Sequence, residues 1–131
     1  MKAADPKFFL KQTGGQQPPI MWIGCSDSRV PAGDIIGCQP GEIFVHRNVA
    51  NMVVNTDLNF LSCLDFAVNV LKVSHIIVCG HYFCGGVQAA MYNNSIGLID
   101  NWVRNIKVIY RIHAKELDSI KDEKERWCRF V

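Results

Sequence analysis

The chain has 131 residues, which is enough for one hydrophobic core and too short for two domains. Hydrophobic residues make up 49% of the composition and charged residues 20%, as in ordinary soluble globular proteins. The formal charge is only +2, so the charge balance gives no reason to expect nucleic acid or an anionic membrane as a partner.

The start of the chain, MKAADPKFFLKQTGG, lacks the apolar core of a signal peptide. No run in the sequence approaches the roughly 18 to 20 apolar residues that a transmembrane helix needs. We therefore expect a cytoplasmic protein. A reducing compartment also suits the six cysteines, because disulfide scaffolds are usually short secreted chains. Cys63 and Cys79 stand inside apolar runs and are predicted to be small buried side chains.

Short apolar runs alternate with helical patterns along the rest of the chain. Three runs are typical of buried parallel strands, since proline, glycine or polar residues bound each of them. A helix capped by Thr56 or Asp57 is predicted between the second and third runs, and further helices over 84–94 and 98–120. The strand runs are residues 18–24, 40–48 and 74–80, and the predicted buried side of the first helix is Leu58, Leu61, Leu64, Phe66, Val68 and Leu71.

This alternation indicates an α/β fold with a parallel β-sheet flanked by helices, and such sheets bind ligands at the carboxyl ends of their strands. Cys25 follows the first predicted strand, and His81 and Cys84 follow the third. Neighbouring parallel strands would bring these three side chains to the same edge of the sheet. Two thiolates and an imidazole suit zinc. The sequence therefore predicts a zinc site with Cys25, His81 and Cys84 as its protein ligands.

Asp27 and Arg29 follow Cys25 at alternate positions, so their side chains can point the same way as the cysteine. Asp27 is a candidate fourth zinc ligand. Arg29 can hold that carboxylate off the metal in a bidentate, charge-assisted pair. Whether Asp27 or water completes the site is open at this point. Arg47 and Asn48, at the end of the second strand, are interpreted as structural polar groups.

The motifs CSDSR, HRNVAN and HYFCGG, at residues 25–29, 46–51 and 81–86, resemble those of the β-class carbonic anhydrases in order and spacing. The resemblance implies a zinc lyase with one Zn²⁺ per chain that interconverts carbon dioxide and bicarbonate through zinc-bound hydroxide. It also implies a homodimer or higher homo-oligomer. The implied roles are zinc ligation by Cys25, His81 and Cys84, a catalytic dyad of Asp27 and Arg29, and substrate contacts by Gln16, Phe44 and Gly85.

The resemblance further implies that the single domain over residues 1–131 is incomplete, because the family's terminal arm and its final strand and helices have no counterpart here. Phe83 lies between His81 and Cys84, where its ring could crowd the pocket. An alternative hypothesis is therefore a zinc-binding homologue that is catalytically weak or inactive. A thiol redox protein is a more distant alternative, since the sequence has no Cys-x-x-Cys pair.

Overall fold

A computed structural model describes residues 6–92 and 95–131 of the chain. The helix predicted over 84–94 ends at Met91, because Tyr92 has extended backbone geometry, and residues 93 and 94 of that prediction lie outside the described ones. In chain order the helices and strands are α1 (Phe8–Lys11), β1 (Ile20–Cys25), α2 (Ala32–Ile36), β2 (Ile43–Asn48), α3 (Leu58–Asp65), β3 (His75–Cys79), α4 (Gly85–Met91), α5 (Ile99–Ile112), α6 (Ala114–Leu117) and α7 (Glu123–Phe130), with a 3₁₀ turn over Val49–Asn51 and a π-helical turn over Phe66–Val70.

The three strands form one parallel sheet in the order β2–β1–β3. Trp22 on β1 lies opposite Val45 on β2 and Ile77 on β3. The α/β fold with a parallel sheet is therefore confirmed. The central strand β1 is buried from Met21 through Cys25, because it has a neighbour on each side and helices cover it. Cys25 is the last residue of β1 rather than the residue after it.

The hydrophobic core has two clusters that meet at the sheet. One contains Met21 and Ile23 of β1, with Phe60 of α3 and Ala67 of the π-helical turn packed on them. The other lies beyond the carboxyl end of β1, where Cys25 and Cys84 pack with residues of the 3₁₀ turn, α4 and α5. The two candidate cysteine ligands are thus part of a core rather than of the surface.

The predicted buried side of α3 is wrong. Phe60 and Ala67 face the sheet, and Leu64 is half-buried beside them, whereas Leu58 and Leu61 are exposed. Phe66 and Val68, from the same predicted set, are exposed as well. The helix carries apolar side chains on two sides, so hydrophobic periodicity alone could not select the side that contacts the sheet. Asp57 is the cap, since its carboxylate accepts a hydrogen bond from the Asn59 N–H at 3.1 Å.

Two further expectations need correction. The helix predicted over 98–120 ends at Ile112, because His113 leaves helical geometry, and only the short α6 continues beyond it. Cys63 and Cys79 are half-buried rather than buried. Cys79 lies on β3, which in the described part of the chain is an edge strand with exposed apolar neighbours.

No helix among residues 6–92 and 95–131 combines the length and the apolar content that a membrane crossing requires.

The corrected side of α3 generates a stability prediction. Phe60→Ala should lower the free energy of unfolding by about 3–5 kcal/mol, because a large buried ring leaves a cavity. Leu58→Ala, on the exposed side of the same helix, should change it by less than about 0.5 kcal/mol. Urea unfolding of the two variants and the parent measures both values. Equal losses in the two variants would contradict the assignment of the buried side.

Candidate metal centre

Cys25, His81 and Cys84 converge at the carboxyl edge of the sheet, as the sequence predicts. Cys25 ends β1, His81 lies two residues after β3, and Cys84 is the residue before α4. One ligand atom from each of the three lies within 4.8 Å of the others. The two sulfur atoms are 3.8 Å apart. A single metal ion placed among the three atoms could therefore contact all of them.

The imidazole of His81 is oriented for a metal. Its Nδ1 lies 3.1 Å from the carbonyl oxygen of Tyr82, which requires the ring proton to be on Nδ1. That tautomer leaves a lone pair on Nε2. The Nε2 atom is buried and has no hydrogen-bond partner in the described chain. A buried, unpartnered lone pair beside two sulfur atoms fits a zinc ion, whose histidine ligands commonly donate their other N–H to a backbone carbonyl.

The two sulfur atoms lie in an environment that excludes water but offers hydrogen-bond donors. Cys84 is fully buried, and burial raises the pKa of its thiol above the ordinary value. Backbone hydrogen bonds from Val87 and Gly86, at the start of α4, act in the opposite direction. The N–H of Asp27 lies 3.4 Å from the sulfur of Cys25. The two backbone bonds from α4 favour the thiolate form of Cys84, which is the form that binds metal.

Asp27 and Arg29 form a bidentate ion pair at the rim of the metal centre. The Arg29 Nε donates to Oδ1 of Asp27 at 2.9 Å, and Nη2 donates to Oδ2 at 2.6 Å. The backbone N–H of Arg29 adds a third hydrogen bond at 2.9 Å. These bonds from Arg29 hold the pKa of the Asp27 carboxyl far below its ordinary range. Oδ2 also lies 3.8 Å from Nε2 of His81, so an ionised carboxylate faces the metal centre at neutral pH.

Arg47 holds the backbone of the segment that carries Cys25 and Asp27. Its Nε donates to the carbonyl of Cys25 at 2.7 Å, and its Nη2 donates to the carbonyl of Asp27 at 2.6 Å. Asn48 bonds both backbone groups of Met52 through its side-chain amide, at 2.7 and 2.8 Å. The contacts of Arg47 and Asn48 agree with the structural role expected at the end of β2.

Two aromatic contacts at the metal centre were missed by the sequence analysis. The indole Nε1 of Trp127, on α7, donates to the carbonyl of Cys84 at 3.0 Å. The ring of Phe83 packs edge-on against the same indole, with centroids 5.2 Å apart. Phe83 has a backbone φ of 58°, in the left-handed region. No local pattern signals these contacts, because Trp127 is 43 residues from Cys84 along the chain.

The three residues expected to contact substrate lie in different places. Gly85 is the first residue of α4, directly after Cys84. Phe44 is half-buried on β2, where it packs with the Met21 cluster and lies 5.9 Å from the ring of Phe66. Gln16 is exposed between α1 and β1. Of these three residues, only Gly85 adjoins a candidate metal ligand along the chain. The substrate roles of all three stay predictions.

An open cleft of about 1180 Å³ adjoins the metal centre. The segment after β3 forms one wall, and the end of α7 forms the other. Its lining includes Gly80, His81, Phe83, Glu125, Cys128 and Arg129. The cleft thus borders the candidate metal centre on the side of His81, whereas Cys25 and Cys84 are buried.

Comparison with known proteins identifies the family. The family model described as carbonic anhydrase matches residues 20–131. The carbonic anhydrase of Emericella nidulans is 55% identical over 130 residues. Tetrameric β-carbonic anhydrases of Sordaria macrospora superpose with a TM-score of 0.94 at 50% identity. The chain belongs to the β-class carbonic anhydrase family.

The similarity to β-class carbonic anhydrases covers nearly all of this chain but only part of its relatives. The match spans 99% of this chain and 57% of the Emericella nidulans protein. It covers 98% of this chain and 66% of the Sordaria macrospora chain. The β-carbonic anhydrase CafA of Aspergillus fumigatus has a TM-score of 0.92 at 40% identity, over 98% of this chain and 62% of its own. This chain therefore spans a little over half to two thirds of the length of these relatives.

Proposed function

We propose that this chain catalyses the reversible hydration of carbon dioxide to bicarbonate and a proton, with one zinc ion per chain. The observation that carries the proposal is the convergence of Cys25, His81 and Cys84 beside the Asp27–Arg29 ion pair. Membership of the β-class carbonic anhydrase family supports the same reaction. A catalytically weak or inactive homologue has no comparable support, because the three candidate zinc ligands and the Asp27–Arg29 pair are all present at the described edge of the sheet.

Cys25, His81 and Cys84 would hold the zinc ion through two thiolates and the Nε2 atom. Zinc, when bound, supplies the Lewis acidity that makes a water molecule nucleophilic near pH 7. A set of three protein ligands leaves one position open, as catalytic zinc sites require. The arrangement therefore favours a catalytic site over a closed structural one, provided that Asp27 does not occupy the fourth position.

Arg29 decides whether Asp27 occupies that position. Both carboxylate oxygens of Asp27 are engaged by the guanidinium, and the fork geometry holds the carboxylate in one orientation. The carboxylate stays ionised, so it can only accept hydrogen bonds. We infer that Asp27 accepts a hydrogen bond from the attacking water and orients it toward the carbon of the substrate. Arg29 in this proposal keeps Asp27 as an acceptor rather than a metal ligand.

The surroundings of the sulfur atoms suit an apolar, uncharged substrate. Cys25 and Cys84 pack with Ala50 and Val87 in a core cluster that excludes water. Carbon dioxide needs little more than apolar contacts and a hydrogen-bond donor for the charge that develops on its oxygen atoms. We propose that Gln16, Phe44 and Gly85 contact the substrate, as the resemblance implies.

We also propose that residues 1–131 form a single domain, that the protein assembles as a homodimer or higher homo-oligomer, and that it is cytoplasmic. The assembly has structural support in the sheet, since within the described chain β2 and β3 each pair on one side only. Ile76 and Val78 on β3 and Val45 on β2 are exposed. Unpaired strands with apolar side chains are the kind of edge that proteins cover. The Sordaria macrospora relatives are tetrameric, which supports an assembly of this kind.

Light scattering tests the proposed assembly. At assay concentration the protein should have the mass of at least two chains, because a second copy would cover the exposed strand edges. A mass of one chain over the full concentration range would refute it.

Stopped-flow hydration of carbon dioxide by metal-quantified protein tests the proposed reaction. The parent protein should contain about one zinc ion per chain and should hydrate carbon dioxide. Asp27→Ala should keep the zinc ion and lose activity by about 100-fold or more, because the attacking water loses its hydrogen-bond acceptor. Cys25→Ala should lose both the zinc ion and the activity, since it removes a ligand.

The variants separate the parts of the proposal. Arg29→Ala should retain zinc but bind it through four protein ligands, with Asp27 as the fourth, and should be inactive for that reason. Full activity in Asp27→Ala would remove the carboxylate from the mechanism. A well-folded parent protein that holds zinc but does not hydrate carbon dioxide would refute the proposed reaction and favour the inactive alternative.

A further inference from the structure

The helix α7 contacts the segment that carries two of the three candidate ligands. Trp127 makes both contacts, with a hydrogen bond to Cys84 and a ring contact to Phe83. We propose that Trp127 is a positioning residue for the metal centre, which sets the zinc affinity and the ligand geometry without touching metal or substrate. This inference rests on the proposed zinc function of Cys25, His81 and Cys84.

The hydrogen bond fixes the peptide that follows a ligand. The carbonyl oxygen of Cys84 accepts from the Trp127 indole at 3.0 Å and from the Gln88 N–H at 3.0 Å. The first bond ties the carbonyl to α7, and the second ties it to α4. With the peptide held from two directions, the Cys84 side chain leaves the backbone in one fixed direction. The bond is partly buried, so water replaces it poorly when the donor is removed.

The ring contact supports a disfavoured backbone conformation. Phe83 lies in the turn between His81 and Cys84 and has a φ of 58°. Residues other than glycine rarely adopt this backbone conformation. The Phe83 carbonyl accepts a hydrogen bond from Arg29 at 3.2 Å, and its ring packs on Trp127 with an interplanar angle of 83°. Such conformations persist where surrounding contacts over-determine them. Arg29 and Trp127 provide those contacts from opposite ends of the residue.

The helix α7 is itself anchored, so Trp127 has a fixed base. The ring of Phe130 packs edge-on against Tyr110 of α5, with centroids 5.0 Å apart. Arg129 pairs with Glu116 of α6 at 3.1 Å. The N-terminus of α7 is capped by Asp122, whose carboxylate accepts from the Glu125 N–H at 2.7 Å. The contacts with α5 and α6 hold α7 in place, and Trp127 on α7 in turn contacts the segment that carries His81 and Cys84.

The test compares two tryptophans that make the same type of bond. Trp127→Phe keeps an aromatic ring but removes the donor to the carbonyl of Cys84. Trp102→Phe is the matched control, because its Nε1 donates at 2.8 Å to the carbonyl of Val49, a residue that does not adjoin any of the three candidate ligands in the sequence. The measurements are the zinc dissociation constant by chelator competition and the absorption spectrum of the cobalt(II)-substituted protein, which reports thiolate ligation and geometry.

Trp127→Phe should weaken zinc binding by about 10-fold and change the cobalt spectrum, the range typical for groups that orient metal ligands. Trp102→Phe should leave both unchanged. If the parent protein binds zinc tightly and Trp127→Phe has the same zinc affinity and the same cobalt spectrum, this inference is overturned. The proposed function would then remain intact. A parent protein that binds neither zinc nor cobalt would overturn the proposed function and this inference together.

A second pair of variants tests the ring contact in a chain that keeps Trp127. Phe83→Ala removes the ring while φ stays at a disfavoured value, so zinc affinity should fall. Phe83→Gly removes the same ring, but glycine tolerates that φ, so its affinity should stay closer to that of the parent. Parent-like zinc affinity in Phe83→Ala would overturn the role of the ring contact, and an equal loss in the two variants would overturn its link to the backbone conformation. This pair tests the ring contact even if Trp127→Phe proves too unstable to assay.

Discussion

The parallel pairing of β1 with β3 is the constraint on which the rest of the structure depends. The register places Gly24 opposite Cys79, so both strands reach the same edge of the sheet together. Cys25 then ends β1, while His81 and Cys84 lie in the segment that leaves β3. A shift of one residue in this register would turn Cys25 to the other side of the sheet. The meeting of two sulfur atoms from distant parts of the chain therefore follows from strand pairing, and the core around Cys84 stabilises it.

The candidate metal centre has a buried side and a polar side. Burial raises the pKa of the Cys84 thiol, and backbone N–H groups of α4 act in the opposite direction. On the polar side, Arg29 fixes the carboxylate of Asp27, and Arg47 fixes the backbone on which that carboxylate stands. The arginines thus hold the acidic group in place without entering the metal centre. On the side of α7, Trp127 holds the backbone of Cys84 through its hydrogen bond to the Cys84 carbonyl.

The parallel sheet and the position of the candidate ligands at its edge could be predicted from the sequence, because they depend on local patterns of apolar and polar residues. A strand buried on both faces is a short apolar run, so the sequence predicts β1 and places the residues at its end at the edge where such sheets bind ligands. Spacing also placed Asp27 and Arg29 on one side of the chain, where they form their ion pair. The alternating pattern therefore predicts the fold class, which the structure confirms, and a set of candidate ligands, whose side chains the structure brings together.

The remaining features depend on contacts between distant residues. Leu58 and Phe60 are both apolar, and only packing against the sheet decides that Phe60 is the buried one. The helix break at His113 occurs without proline or glycine, so no local rule marks it. Trp127 has no motif, since its partners at Cys84 and Phe83 are set by how α7 packs. Sequence patterns predict the elements and the candidate ligands, whereas the supporting contacts depend on tertiary structure.

The central claim is that Cys25, His81 and Cys84 hold one zinc ion together. Zinc K-edge X-ray absorption on the purified protein tests it directly. The account predicts two sulfur scatterers at about 2.3 Å and one imidazole nitrogen at about 2.0–2.1 Å, with the remaining light scatterer from a fourth ligand. Replacement of Cys84 by serine should reduce the sulfur count to one. A spectrum with only oxygen and nitrogen around zinc, or an unchanged sulfur count in Cys84→Ser, would contradict the claim.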